Sequence, residues 1–122
     1  MLTRFSVPEL YKCTKKLVKV ANANTEPDLI IYNANILSTY TDRILRNKEI
    51  WVSEGRIACI VKNNTAFKIF NKKNLNIYDA EYNTLAPGLI DPHMHIESSM
   101  MTGCAYAEPA LLNGTTTVFC DS

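Results

Sequence analysis

The 122-residue sequence predicts an α/β protein whose larger, N-terminal part is rich in β-strand. Three observations carry this. Leu10, Cys13, Leu17 and Val20 recur at helical spacing near the start. Short apolar runs then alternate with turn residues through the 25–86 stretch. After Pro87-Gly88 the pattern becomes strand, helix, strand with short connections, as in a parallel βαβ unit.

The elements follow in order. Residues 8–21 read as one helix, with Ser6 and Pro8 suited to its start. Asn22 to Pro27 is a polar break. Leu29–Tyr32 and Ile36–Leu37 read as two separate β runs, parted by Asn33-Ala34-Asn35, and Tyr40–Asn47 as a polar connection. Ile50–Val52 and Ile57–Val61 flank Ser53-Glu54-Gly55-Arg56, where Gly55 supplies the positive φ of a hairpin turn. Asn63–Asn76 reads as loop with an apolar piece at Phe67–Phe70, and Leu75–Tyr78 and Tyr82–Leu85 as further strands. The 25–86 region is expected to be mostly antiparallel. Beyond Pro87, Leu89–Ile96 is a strand, Glu97–Gly103 a polar turn, Tyr106–Leu112 a helix ended by Gly114, and Thr115–Cys120 a strand.

Composition narrows the function classes. The chain is 47% apolar and 20% charged, which is globular usage and excludes disordered and low-complexity classes. A net charge of +1 gives no general drive toward nucleic acid or an anionic membrane. Arg4, Lys12, Lys15, Lys16 and Lys19 face only Glu9. The helical recurrence of Leu10, Cys13, Leu17 and Val20 favours the solvated face of an amphipathic helix over an anion-binding or targeting segment. No secretory signal pattern and no membrane-spanning run is present, so a cytoplasmic location is expected. Cys13, Cys59, Cys104 and Cys120 show no CxxC spacing. They predict no disulfide framework, and Cys59 and Cys120 read as small buried apolar residues.

The chemistry is concentrated in Asp91-Pro92-His93-Met94-His95-Ile96-Glu97, which holds both histidines of the chain. On an extended strand, alternate side chains share a face. Asp91, His93, His95 and Glu97 would then lie on one side and Ile90, Met94 and Ile96 on the other. The α-carbons of the two histidines would be roughly 7 Å apart, a spacing at which two imidazoles can reach one divalent ion. Two exposed histidines near a strand end is the plainer reading. Four ionisable groups lined up at period two favour the metal.

Ala86-Pro87-Gly88-Leu89-Ile90-Asp91-Pro92-His93-Met94-His95 resembles the first barrel strand of the amidohydrolase superfamily, with its PG…DxHxH motif. His95-Ile96-Glu97-Ser98-Ser99-Met100 is similar to the HIESSM segment of bacterial adenine deaminases. Leu112-Asn113-Gly114-Thr115-Thr116-Thr117-Val118, followed by Asp121, resembles another of their stretches, as does Ala21–Tyr40. The resemblance extends over about residues 10–122.

It implies an enzyme that hydrolyses adenine to hypoxanthine and ammonia. His93 and His95 would be ligands of a divalent metal, manganese or iron with zinc as the other candidate. Asp91 would steady a ligand histidine by hydrogen bonding. Glu97 and Asp121 would be catalytic groups at the strand ends and Ser98 a substrate contact. The expected partner is a small purine base, with neither nucleic acid nor membrane involved, and a homo-oligomer is the expected assembly. The implied architecture is a helix and linker over 1–24 and part of a small β-sandwich-like domain over 25–86. The first β-α-β of a TIM-type (β/α)8 barrel would follow over 87–122. Such a barrel takes ~250 residues, so the 122-residue chain is expected to be catalytically incomplete and poorly soluble or oligomeric by itself. The sequence departs from the pattern at Asn22-Ala23-Asn24, where an Arg/Gly-containing turn is usual. It departs again at Pro92, where Gly or Ala is common, and at Gly103 and Ser122, where Pro is common. Two alternatives stand beside this reading. One is another amidohydrolase, dihydropyrimidinase-like or N-acetylglucosamine-6-phosphate deacetylase-like, against which the Glu97–Met100 segment argues. The other is a short non-catalytic metal-binding or interaction module.

Overall fold

The computed structural model describes residues 8–121, so Arg4 and Ser6 lie outside the described residues. The chain divides into two compact units, the first ending at Ala86 and the second beginning at Pro87.

The first unit opens with helix α1 (Leu10–Ala21). Cys13 and Val20 are buried, Leu17 is half-buried, and Leu10 stays exposed, so the expected apolar stripe contributes chiefly through its C-terminal part. The helix ends in a Schellman arrangement: Asn24 N–H donates to the Lys19 carbonyl (2.8 Å) and Ala23 N–H to the Val20 carbonyl (2.9 Å). Ala23 takes the left-handed position, φ 59°, that glycine usually fills.

Strands β1 (Leu29–Ser38), β2 (Arg43–Ser53), β3 (Arg56–Lys62), β4 (Ile77–Asp79) and β5 (Thr84–Leu85) form one five-stranded sheet. β2 pairs antiparallel with β1 and β3, while β4 and β5 pair parallel with β1. The sheet is therefore mixed, where the sequence suggested mostly antiparallel pairing. The hairpin forms as expected, with Ser53 opposite Arg56 and positive φ at both Glu54 and Gly55. Two positive central residues match the twist of the flanking strands.

The two apolar runs read separately at 29–32 and 36–37 are one strand, interrupted by a bulge. Asn33 adopts φ 52°, and the pairing with β2 shifts between Ile31 and Ala34 and again before Ile36. The bulge exchanges the faces of the strand. Ile30 packs with Val20, Trp51 and Ala66 on one side of the sheet, whereas Ala34 and Ile36 pack with Ile50 and Ala80 on the other. Asn33 is held by partners distant in sequence: its N–H donates to Asn63 Oδ1 (2.9 Å) and its Nδ2 to Asp79 Oδ1 (2.9 Å). The polar Arg43–Asn47 stretch, read as connection, is strand because Ile36, Leu37 and Ser38 offer it a pairing edge. Within 63–76, a short helix α2 (Ala66–Ile69) and a 3₁₀ turn (Lys72–Asn74) replace plain loop.

The second unit is a βαβ element. Strand β6 (Leu89–Met94) and strand β7 (Thr115–Cys120) pair in parallel, joined through a 3₁₀ turn (Ile96–Ser99) and helix α3 (Gly103–Leu112). Thr102 caps α3 by accepting the Ala105 N–H (3.3 Å), and Gly114, φ 84°, turns the chain into β7. Cys120 is exposed, not buried as its apolar surroundings suggested, because it lies at the outer end of β7. No helix of the described residues is long and apolar enough to cross a membrane.

Candidate functional site

The site is built at the C-terminal ends of two parallel strands. Gly88 leads into β6, and a methyl group on it would overlap the Thr116 side chain of β7, so only glycine lets the strands approach here. Pairing then runs Leu89 to Thr115, Ile90 to Thr117, Asp91 to Val118 and Met94 to Cys120. The register breaks between Asp91 and Met94, across Pro92-His93. Pro92 has no N–H to offer the ladder. The His93 N–H turns instead to the Asp91 carboxylate, with Oδ1 accepting at 3.2 Å.

Beyond Met94 the strand stops, two residues short of the expected Leu89–Ile96 extent. The last inter-strand bond runs from the Asp121 N–H to the Met94 carbonyl (3.4 Å). The chain then tightens into the 3₁₀ turn, closed by Ser98 N–H on the His95 carbonyl and Met100 N–H on the Glu97 carbonyl, both 3.1 Å. Ser99 Oγ donates to the Ile96 carbonyl, and Met100 leaves the turn in the left-handed region, φ 57°.

This folding brings three of the expected side chains together. The rings of His93 and His95 meet edge to face, 4.7 Å between centroids and 87° between planes. His95 Nδ1 lies 3.1 Å from Glu97 Oε1. Glu97 reaches His95 by a turn folding back, not by the two-residue alternation of a strand. Asp91 joins through the His93 backbone, and Asp121 through its own backbone beside Met94. Ser98 takes part through its N–H. All these side chains are exposed or half-buried.

The donor chemistry suits a divalent cation as far as it goes: two neighbouring imidazoles, one steadied by a carboxylate. Among the described residues, no group of three or more His, Cys, Asp or Glu side chains is arranged to hold a metal ion. The structure adds Pro92 and Thr116 to the residues that shape the site. Pro92 was legible as a ladder breaker, whereas the closeness of Thr116 depends on strand register.

Comparison with known proteins fixes the kinship. No family model matches the chain. Over 121 residues, 99% of its length, it is 56% identical to an adenine deaminase of Bradyrhizobium sp. (strain ORS 278). It is 54% identical over the same span to one of Rhizobium johnstonii. Along nearly its whole length the chain is homologous to members of the adenine deaminase family. An adenine deaminase of Staphylothermus marinus is 40% identical over 105 residues, 86% of this chain and 17% of that protein. The chain covers about 20% of the length of the Bradyrhizobium and Rhizobium adenine deaminases. Among solved structures, molinate hydrolase matches with a TM-score of 0.59 at 20% identity, over 78% of this chain and 24% of that one. An amidohydrolase matches at 0.52 and 23% identity, over 74% of this chain and 24% of that one. These likenesses establish the fold: a mixed sheet followed by an early β-α-β unit of amidohydrolase type.

Proposed function

We propose that this adenine deaminase homologue contributes the opening strand, first helix and first metal-binding pair of a hydrolase that converts adenine and water to hypoxanthine and ammonia. The observation that carries the reading is the His93–His95 ring pair at the C-terminal end of β6, within a sequence 56% identical to an adenine deaminase over 99% of its length. In barrel enzymes, that end of the strands is where catalytic groups gather.

His93 and His95 would hold a divalent cation, manganese or iron ahead of zinc. When bound, the cation supplies the Lewis acidity that lets water act as a nucleophile near neutral pH. Asp91 keeps the His93 backbone out of the ladder, and Asp121 sits beside Met94, between the two histidines along the strand. Glu97, Ser98 and Asp121 would border the substrate. The remaining ligands, the groups that move protons to and from the purine, and the base-reading contacts would come from outside these 122 residues, in a cytoplasmic and oligomeric enzyme.

The test is ammonia release from adenine with Mn²⁺ or Fe²⁺ added. A longer product carrying this segment should turn over, and its His93→Ala and His95→Ala variants should lose activity and metal together. The 122-residue chain alone should not turn over. Deamination by that chain, or full metal content after both substitutions, would overturn the reading.

A further inference from the structure

His95 and Glu97 are two residues apart yet meet side chain to side chain, because the 3₁₀ turn that begins at Ile96 folds the carboxylate back onto the ring. We propose that Glu97 is a positioning residue that fixes the proton of the neutral His95 ring on Nδ1, leaving Nε2 as the lone pair offered to a divalent cation. The inference rests on the reading of His95 as a ligand and deepens it.

An ionised carboxylate only accepts hydrogen bonds, and a neutral imidazole has one donor and one acceptor nitrogen. Glu97 Oε1 lies 3.1 Å from Nδ1, so the favourable tautomer carries its proton there. The nitrogen left bare is then Nε2. The turn holds Glu97 in place through bonds that do not involve its carboxylate: Ser98 N–H to the His95 carbonyl and Met100 N–H to the Glu97 carbonyl. The carboxylate is thereby directed to the ring by backbone geometry. The His93 ring, edge-on at 4.7 Å, makes the orientation of His95 consequential, since a rotated or wrongly protonated ring would present an N–H to any ion shared by the pair. Glu97 therefore acts through His95.

Long-range proton–nitrogen spectra of the metal-free 122-residue chain, near pH 8, read the tautomer directly. The wild type should show His95 with its proton on Nδ1. Glu97→Gln, whose amide oxygen can accept the same bond, should keep that form in part, and Glu97→Ala should move the proton to Nε2. Because Glu97 is exposed, the substitutions leave the packing alone, which circular dichroism checks. In a parallel Zn²⁺ titration, Glu97→Ala should weaken apparent affinity about 10- to 100-fold. A His95 ring that carries its proton on Nε2 in the wild type, or a tautomer unchanged in Glu97→Ala, overturns the positioning role alone. Unchanged Zn²⁺ affinity in His95→Ala overturns the ligand reading and this inference with it.

Discussion

Gly88 lies so close beneath Thr116 that a single added methyl group would overlap the threonine Oγ1, Cγ2 and Cβ atoms together. Cβ cannot rotate away, so β6 and β7 can keep their spacing only with glycine at this position. Gly88→Ala should therefore cost about 1–3 kcal/mol of stability, the usual range for overpacking. Adding Thr116→Gly should recover a good part of it. A double-mutant cycle by urea denaturation measures the coupling, and strict additivity would show that the two residues do not compete for space.

Ala23 offers the opposite case, a position where a side chain is present and glycine would serve better. It closes the α1 Schellman motif at φ 59°. A left-handed conformation costs a residue with a Cβ roughly 1–2 kcal/mol, and glycine gives part of that back as unfolded-state entropy. Ala23→Gly should thus stabilise the chain by about 0.5–1 kcal/mol. The asparagines at 22 and 24 leave the capping bonds untouched, so a lower melting temperature in the variant would refute the strain.

The hairpin at 53–56 and the βαβ order after Pro87 were legible because glycine and periodicity act locally. The continuity of β1 was not, because the bulge at Asn33 depends on Asn63 and Asp79, distant in the chain. The strand character of Arg43–Asn47 comes from an edge supplied by Ile36–Ser38, and tertiary pairing of that kind overrides polar composition. The histidine pair was legible from its spacing. The route by which Glu97 reaches it was not, because strand alternation fails where the ladder ends at Met94.

A charged clasp fastens α1 to the hairpin. Lys16 Nζ reaches Glu54 Oε1 (2.6 Å) and Asp28 Oδ1 (3.1 Å), and Asp28 Oδ2 accepts the Glu54 N–H (2.7 Å) and the Ser53 hydroxyl (3.1 Å). The Glu54 N–H first, then Lys16 and Ser53, hold the Asp28 carboxyl below its ordinary value against a partial desolvation. Its contribution is present above the ordinary aspartate range, about pH 4, and is lost as pH falls through the lower folded value. Lys16 is raised, by Glu54 first and Asp28 next, so its contribution is lost only as pH climbs past the ordinary lysine range. Melting temperature should fall below about pH 4 in the wild type and more shallowly in Asp28→Asn. Parallel curves for the two proteins would remove Asp28 from the acid limb.

Glu49 is fully buried, with Oε2 accepting the Trp51 indole N–H (3.1 Å) and the Ala66 N–H (3.0 Å). It ties the core of β2 to the start of α2. Glu49→Ala leaves two buried donors without an acceptor, at about 1–3 kcal/mol each. Glu49→Gln keeps an acceptor oxygen and should cost less. Trp51 fluorescence during urea unfolding separates the two, and equal losses would assign the effect to charge instead of hydrogen bonding.

At the histidine pair, Asp91 occupies the gap that Pro92 opens in the ladder. Its carboxylate takes the His93 N–H at 3.2 Å, just where the register with β7 breaks. Asparagine retains an oxygen that can accept the same bond, whereas alanine frees the amide. A net hydrogen bond of about 0.5–1.5 kcal/mol corresponds to exchange of the His93 amide roughly 3- to 10-fold faster in Asp91→Ala. Asp91→Asn should stay close to the wild type. The same loosening should weaken the ring-to-ring proton contacts between His93 and His95, since the backbone that sets their spacing is no longer tied. Identical amide exchange in all three proteins would mean that the turn after Met94, and not Asp91, fixes the pair.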